Sequence, residues 1–262
     1  MPETPAARNA ANRVIQAAHN GVLAITWSIL AHDPQTGAFA VAVTTCNLAV
    51  GAAVPYLRAG VGAVATQSMT NRYLGPAILD AMARGVAPDL AIAGALAMDE
   101  GRALRQVHAI DRHGRTAAWT GERCVEWCGH VTGTGWSVAG NMLSGEAVVA
   151  DTVAAFANGG ALALPERMLA ALDAGEAAGG DRRGRQSAAL RLITTEDFSD
   201  IDLRVDDHQA PLTELARLLQ LWRTHRAARL HEQPSRANPA GLHDLDVVEA
   251  RFRAMGLPVR PR

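Results

Sequence analysis

Short apolar runs bounded by polar, turn-forming residues dominate the first third of the chain. Residues 26–32 and 39–45 are two such runs, and they flank the sequence DPQTG, whose Asp, Pro and Gly favour turns. This pattern predicts a β-hairpin that begins at Thr26. A third short strand, rich in Val and Ala, is predicted at residues 61–67.

Longer segments have the apolar spacing of helices. In GPAILDAMARG, for example, Ile78, Leu79 and Met82 fall on one helical face. The complete pattern predicts helices at residues 75–85, 88–101, 145–157, 165–174, 211–230 and 244–255, and further strands at residues 105–111, 116–120, 131–141, 190–194 and 201–205. Strands and helices come in blocks rather than in strict alternation. We therefore expect an α+β fold in which antiparallel sheets are covered by helices.

The composition changes near both ends and divides the chain into three predicted parts. Residues 1–24 lack the basic start and apolar centre of a secretory signal and are interpreted as a leader or propeptide. Residues 25–230 form the predicted folded domain, and residues 231–262 a linker with a short accessory helix. Because no apolar run reaches the roughly 18 to 20 residues of a membrane helix, we expect a cytoplasmic protein without a membrane partner.

The charge pattern excludes several classes of function. The 25 basic and 26 acidic residues give a net charge of -1, and no basic stripe indicates a nucleic-acid partner. All the basic residues are arginine. A phosphate-binding Walker lysine and a Schiff-base lysine are therefore excluded. No cofactor is expected.

The three cysteines suggest one metal site, which is weighed against buried thiols. Cys124, Cys128 and His130 have the side chains that zinc prefers. A structural zinc site also needs a second close pair of ligands, which the sequence lacks. Cys46 is distant from the other two cysteines in the sequence. The sequence therefore favours buried thiols and predicts no metal site.

Three polar stretches follow or precede predicted strands, where a scaffold often holds ligand-binding side chains. They are ATQSMTNRYLGP, GTGWSVAGNML and GGDRRGRQS. The candidate residues in them are Thr66, Gln67, Asn71, Tyr73, Asn141, Asp181, Arg182, Gln186 and Ser187. Arginines between glycines can bind a carboxylate through two N–H bonds, so the third stretch indicates an anionic substrate. A solvated loop is the alternative interpretation of that stretch.

Six blocks of sequence, in this order, resemble domain-of-unknown-function family 1028, which belongs to the Ntn-hydrolase-like proteins. They are TWSILAHDPQTGAFAVAV, LAVGAAVPYLRAGVGAVATQ, YLGP, CVEWCGHVTGTGWSVAGNML, GEAAGGDRRGRQSAAL and IDLRVDDH. The resemblance covers residues 25–230. It implies a four-layer αββα sandwich, with two antiparallel sheets between helical layers.

The resemblance also implies a nucleophile. In the wider superfamily the first residue of the first strand attacks an amide carbonyl, and its own α-amine is the general base. This position is Thr26, whose amine is free only if the bond between Ile25 and Thr26 is cut. Asn141 is the expected oxyanion donor. Ser28 and Thr45 are alternative nucleophiles that need no free amine.

Three functions are therefore left open by the sequence. The first is an amidohydrolase that is freed by processing and cleaves a small amide or peptide-like C–N bond in a substrate that can carry a carboxylate. In this hypothesis Thr45, Gln67, Asp181 and Arg182 belong to the substrate-binding set. The second is a non-catalytic binding protein for a small molecule, and the third is a zinc-dependent hydrolase. A homo-oligomer is expected in either of the first two cases.

Overall fold

The computed structural model of the chain describes residues 26–257, and these residues form a mixed α+β fold with ten strands and six α-helices. The strands are β1 (Trp27–Asp33), β2 (Ala38–Thr45), β3 (Pro55–Arg58), β4 (Gly62–Ser68), β5 (Arg105–Asp111), β6 (Thr116–Thr120), β7 (Gly129–Gly133), β8 (Trp136–Gly140), β9 (Ser187–Ile193) and β10 (Ile201–Val205). The helices are α1 (Leu74–Ala83), α2 (Pro88–Ala97), α3 (Ala147–Asn158), α4 (Leu164–Ala177), α5 (Pro211–His225) and α6 (Leu245–Ala254). The expected α+β class is confirmed.

The strands form two antiparallel sheets. The six-stranded sheet has the order β10-β9-β2-β1-β8-β7, and the four-stranded sheet has the order β3-β4-β5-β6. The predicted hairpin is present, because β1 and β2 pair in antiparallel register from Trp27 opposite Thr44 to Asp33 opposite Ala38. Strands β1 and β2 also contact β4, so the two sheets face each other.

Helices cover the outer face of each sheet. Helix α1 contacts β3 and β4, and α2 contacts β5 and β6. On the six-stranded sheet, α4 contacts β1 and β2, and α3 contacts β8. Odd and even positions of a strand therefore serve different layers. In β4, for example, Ala63 and Ala65 belong to the apolar cluster between the sheets, whereas Val64 packs with α1 and α2.

The structure corrects the sequence prediction at two strands. The single strand predicted at residues 131–141 is a hairpin of β7 and β8, in which Gly133 pairs with Trp136. Gly135 turns the chain with a φ of 83°, a left-handed conformation that glycine adopts without steric cost. Strand β3 was not predicted. It is only four residues long and begins with proline, which sequence patterns associate with turns.

The C-terminal part also differs from the prediction. The helix predicted at residues 211–230 ends at His225, and a 3-10 helix follows at Ala227–Glu232. The chain divides into two compact units between Ala216 and Arg217. The predicted leader, residues 1–24, lies outside the described residues. No helix among the described residues combines the length and the apolar character that a membrane span requires.

Candidate functional site

The layer between the two sheets has an apolar half and a polar half. The apolar half is formed by residues such as Leu30, Val41 and Ile110. The polar half has seven side chains, all fully buried, and we call it the buried polar cluster: Thr26, Ser28, Gln67, Gln106, His108, Ser137 and Asn141. Polar groups at this depth are costly unless they are hydrogen-bonded. Their partners therefore determine what the cluster can do.

The proton positions in one part of the cluster follow from its hydrogen bonds. The Ser28 hydroxyl donates to Gln67 Oε1 at 2.7 Å, which uses its single proton. The contact of 2.9 Å between Ser28 Oγ and His108 Nε2 therefore has the imidazole as donor. His108 Nδ1 is then unprotonated and accepts from Ser137 Oγ at 2.8 Å. Consequently His108 cannot take a proton from Ser28, and the structure gives Ser28 no general base here.

Burial keeps this imidazole neutral. His108 is fully buried, and desolvation, with a smaller contribution from nearby His130, lowers its pKa to about 3. A neutral ring with one N–H and one acceptor nitrogen is the form that both serine contacts require. His108 is therefore a structural link between the two sheets, from β5 to β1 and β8.

The Gln67 amide connects this link to the start of β1. Since its Oε1 accepts from Ser28, its Nε2 faces three acceptors: Thr26 O at 3.2 Å, Ala139 O at 3.1 Å and Gln106 Oε1 at 2.8 Å. Gln106 in turn donates to Gly140 O at 2.8 Å. The two glutamines thus bind the ends of β4 and β5 to the ends of β1 and β8.

Thr26 lies immediately before β1, at the end of the buried polar cluster. Its carbonyl oxygen accepts from the backbone N–H of Asn141 at 3.1 Å and from Asn141 Nδ2 at 3.2 Å, besides Gln67. Its hydroxyl Oγ1 is buried and has no hydrogen-bond partner among residues 26–257. The predicted residues Thr26, Gln67 and Asn141 are therefore brought together, and two buried oxygens among them, Thr26 Oγ1 and Asn141 Oδ1, have no hydrogen-bond partner within the described residues.

A second polar cluster lies at the same end of the six-stranded sheet. Asp181 is buried and ion-paired with Arg183 at 2.8 Å, with side-chain exposures of 0% and 7%. Its carboxylate also accepts from the Cys46 N–H at 2.9 Å and from Thr45 Oγ1 at 3.4 Å. Within this loop Arg183 therefore pairs with Asp181, while Arg182, the predicted substrate-binding residue, is exposed. Continuing the register of β1 and β2 by one residue beyond Trp27 and Thr44 would set Thr45 opposite Thr26.

The environment of Cys46 disfavours a thiolate. Burial raises the pKa of this thiol, and the Asp181 carboxylate raises it further, although Arg183 acts in the opposite direction. Reactive cysteines are found where the thiolate is stabilised. Cys46 is therefore a poor nucleophile in this setting.

A surface cavity of about 620 Å³ adjoins the second cluster. Cys46, Arg185, Gln186, Asp207 and His208 are among the residues that line it. Gln186 Nε2 donates to Asp207 Oδ1 at 3.1 Å, and Arg185 is ion-paired with Glu176.

Two predicted residues beside this cavity make structural contacts. Ser187 Oγ hydrogen-bonds the carbonyl oxygen of Asn47 and accepts from Val50 N at 3.1 Å. The backbone N–H of Gln186 donates to Thr45 O at 2.9 Å. Both residues therefore fix the loop that follows β2, and Gln186 also offers its side chain to the cavity.

The remaining predicted site residues lie with helix α1 and its loop. Asn71 Nδ2 donates to Asp99 at 2.8 Å, and Arg105 also donates to this carboxylate, at 2.9 Å. The hydrogen bond from Arg105 is the largest cause that lowers the pKa of Asp99 to about 2. Thr66 donates to Asn71 O at 3.2 Å, and the Tyr73 side chain is exposed. These contacts form a network of their own, apart from the hydrogen bonds of Thr26.

The cysteine motif forms hydrogen bonds rather than a ligand set. Cys124 Sγ donates to Arg105 O, and Cys128 Sγ donates to Cys124 O. Burial is the largest cause that raises the pKa of Cys128, to about 11. Within residues 26–257, no group of three or more His, Cys, Asp or Glu side chains is arranged to bind a metal ion. The zinc interpretation therefore gains no support from the geometry.

Sequence reasoning missed Gln106, His108 and Ser137. The pattern that could have found them is the alternation of β5, because Gln106, His108 and Ile110 share one strand face. Ile110 belongs to the apolar core between the sheets. A glutamine and a histidine on an inward face indicate a buried polar network, but not its partners.

Comparisons with known proteins find a family model and a solved structure that carries the same family label. A model of a family of unknown function, DUF1028, matches residues 26–215. The crystal structure of protein SPO2555 from Silicibacter pomeroyi, labelled with the same family, is similar at a TM-score of 0.77 and 33% sequence identity, covering 84% of this chain and 96% of that chain. No curated protein matches. The family match covers well over half of the chain, so this protein belongs to the DUF1028 family.

Proposed function

We propose that this protein is an amidohydrolase of the Ntn type, in which Thr26 becomes the N-terminal residue after the bond to Ile25 is cut. The proposal includes the finer description of the fold as the four-layer αββα sandwich of that superfamily. The substrate is a small amide or peptide-like compound, and its C–N bond is the one that breaks.

The position of Thr26 is the observation that carries this proposal. The residue precedes β1 directly, and its carbonyl oxygen is held by Asn141 and Gln67. Its Oγ1 is buried without a partner among the described residues, as is Asn141 Oδ1 beside it, and leaving such groups unpaired is costly. The family match also begins at this residue. An unsatisfied hydroxyl on a fixed backbone fits a nucleophile that is held for reaction.

The chemistry uses one residue as nucleophile and base. The free α-amine of Thr26, whose usual pKa is about 7.7 to 8.0, accepts the proton of Oγ1 as this oxygen bonds to the substrate carbonyl carbon. The ammonium then returns that proton to the leaving nitrogen as the C–N bond breaks. Water hydrolyses the resulting ester and restores the threonine hydroxyl.

The amides of the buried polar cluster have positioning roles in this proposal. Gln67 and Asn141 hold the Thr26 carbonyl oxygen at 3.2 Å each. Asn141 Nδ2 also donates to Gln106 Oε1 at 2.9 Å, so both of its N–H bonds are engaged. Donation to an oxyanion by Asn141 therefore requires that it exchange one of these bonds during the reaction.

The cavity beside Cys46 is the proposed entrance for the substrate. Arg185 and Gln186 line it, and it adjoins the Asp181 cluster at the same end of the six-stranded sheet. In this proposal the Arg185 guanidinium, which is ion-paired with Glu176, exchanges that partner for a carboxylate of the substrate. Arg182 is exposed in the loop that precedes these residues.

The experiment compares three variants on a panel of small amides, half of them with a carboxylate near the amide. Thr26→Ala is expected to abolish hydrolysis, while Thr26→Ser retains part of it because the nucleophile and the amine are preserved. Thr44→Ala is the matched control, since Thr44 is an equally buried neighbour whose hydroxyl donates to Ser187 O. If Thr26→Ala hydrolyses the amides as fast as the wild type, the proposed nucleophile is wrong.

The second candidate is a binding protein that keeps the fold without a freed amine. The observation in its favour is the complete burial of Thr26. A mature protein in which Ile25 and Thr26 remain joined, and which binds a small molecule without turnover, would support this candidate.

A further inference from the structure

A second cavity lies at the opposite end of the six-stranded sheet from Thr26. It has a volume of about 810 Å³ and is bordered by the turn after β1, the turn after β5, the β7–β8 turn and the start of α4. We call it the hairpin-end cavity. Its most informative lining residues are His32, Arg112, His113, Trp136, Phe156 and Arg167. His32 follows Thr26 by six residue steps of extended chain, a distance of about 20 Å.

Arg167 presents a fixed cation to this cavity. Its Nε donates to Phe156 O at 2.6 Å, and its guanidinium lies 3.8 Å from the centre of the Phe156 ring. The backbone bond and the ring together hold the side chain in one orientation. Within residues 26–257, Nη1 and Nη2 have no hydrogen-bond or ion-pair partner, and two such nitrogens on one guanidinium can bind a carboxylate or phosphate group.

Arg112 is a second basic residue in the lining of this cavity. Arg112 Nε donates to His113 Nε2 at 3.3 Å, and both side chains are exposed. His32 is half-buried and stacks on Phe39 with ring centres 4.6 Å apart. Among the described residues, no hydrogen bond occupies either ring nitrogen of His32, so the imidazole is available to a ligand.

The one carboxylate in the lining is already satisfied. Asp33 accepts from Gln35 N at 2.9 Å and from Thr36 Oγ1 at 2.7 Å within the hairpin turn. Burial alone would raise the pKa of this carboxyl, but these hydrogen bonds lower it, so Asp33 stays ionised. Nearby Asp111 is paired with Arg115 at 2.6 Å. The cations of the cavity are therefore not neutralised by a direct ion pair with Asp33 or Asp111.

Part of the lining is apolar. Trp136, Leu162 and Leu164 border the cavity beside the Phe156 ring. Leu162 is 48% exposed, so it offers apolar surface that a bound molecule could cover. Pockets for small molecules typically combine apolar surface with a few polar or charged groups that fix the orientation of the ligand.

We infer that the hairpin-end cavity binds a small molecule that carries a carboxylate or phosphate group on an apolar, ring-sized body. The anionic group contacts Arg167 and Arg112, and the apolar body lies against Trp136 and Leu162. This inference does not depend on the function proposed for Thr26, because no residue is shared between the two sites.

The test titrates the full chain with two anionic probes, phenyl phosphate and phenylacetate, and follows the amide signals of Gly114 and Gly135 and the indole signal of Trp136 by NMR. Saturable shifts with a Kd of about 1 mM or tighter are expected for at least one probe. Binding of phenyl phosphate alone would assign the site to phosphates, and binding of phenylacetate alone to carboxylates. The neutral probe 2-phenylethanol is expected to cause no saturable shift.

Substitutions connect the binding to the two arginines. Arg167→Gln and Arg112→Gln are each expected to raise the Kd of the bound probe by about tenfold, since each substitution removes a charge-assisted contact. Arg84→Gln, at the end of α1, is the matched control and leaves the Kd unchanged, as does Thr26→Ala. Arg112 is exposed, so its variant stays informative even if Arg167→Gln fails to fold. Absence of saturable binding by both probes, or equal affinity in Arg112→Gln and Arg84→Gln, overturns the inference.

Discussion

His108 Nε2 lies 2.9 Å from Ser28 Oγ, across the interface between the two sheets. The pair resembles a catalytic dyad in its distance alone. The serine proton is donated to Gln67 at 2.7 Å, so the imidazole is the donor in this contact. The relationship therefore stabilises the fold and orients the Gln67 amide, whose Nε2 contacts Thr26 O.

Replacement of His108 is expected to destabilise the protein strongly. His108→Ala removes the partner of Ser137 and one partner of Ser28 and leaves a cavity, which costs about 3 kcal/mol in the free energy of unfolding. His113→Ala, at an exposed position, is expected to change this free energy by no more than about 0.5 kcal/mol. Urea denaturation of both variants measures the difference. Equal stability of the two variants would show that the buried hydrogen bonds of His108 contribute nothing to the free energy of unfolding.

The stability is expected to fall as the pH falls below 6.5. The folded state lowers the pKa of His108 from 6.5 to about 3, so between these values the unfolded chain binds a proton that the folded chain does not. The contribution of neutral His108 to the free energy of unfolding is fully present above pH 6.5. Between pH 6.5 and pH 3 this free energy falls by up to about 1.4 kcal/mol per pH unit. Urea denaturation between pH 7.5 and pH 5 measures the slope of the free energy of unfolding against pH. The slope should be smaller in His108→Gln, and an unchanged slope in that variant would refute this origin.

The two neighbouring arginines of the Asp181 loop are expected to behave differently. Arg183→Gln leaves the buried Asp181 carboxylate without its ion pair, which costs about 3 to 5 kcal/mol. Arg182→Gln changes an exposed side chain and should cost no more than about 0.5 kcal/mol. Thermal unfolding of the two variants compares them directly. A larger loss in Arg182→Gln would mean that the loop uses the other arginine.

Ser28→Ala separates the two candidate nucleophiles of the buried polar cluster. If Thr26 is the nucleophile, this change removes the hydrogen bond to Gln67 and the acceptor of His108 Nε2, and it should lower the rate of amide hydrolysis by about tenfold. Thr26→Ala should lower it by about a thousandfold or more. The rate of each variant is measured on the best amide of the panel. The reverse order of the two losses would assign the reaction to Ser28.

The sequence predicted most of the strands, because short apolar runs between turn formers leave few alternatives. It predicted one strand at residues 131–141, where Thr134 and Gly135 in fact make a tight turn between β7 and β8. A glycine inside an otherwise continuous strand pattern does not distinguish a turn from a bulge. The four-residue strand β3 carried too few residues for any pattern to indicate it.

The site was predictable only in part. Gln67 and Asn141 follow from their positions at strand ends, and Thr26 from the family resemblance. His108 and Ser137 meet because two sheets face each other, a contact that no local pattern contains. Which arginine of the loop pairs with Asp181 depends on the direction of side chains in a loop, where strand alternation does not apply.

The N-terminus of the mature protein tests the central proposal most directly. Intact mass and N-terminal sequencing of the purified chain, expressed from Met1, are compared for the wild type and Thr26→Ala. The proposal predicts that the wild-type chain begins at Thr26. A wild-type chain in which Ile25 and Thr26 remain joined after prolonged incubation would contradict it and would favour the binding protein.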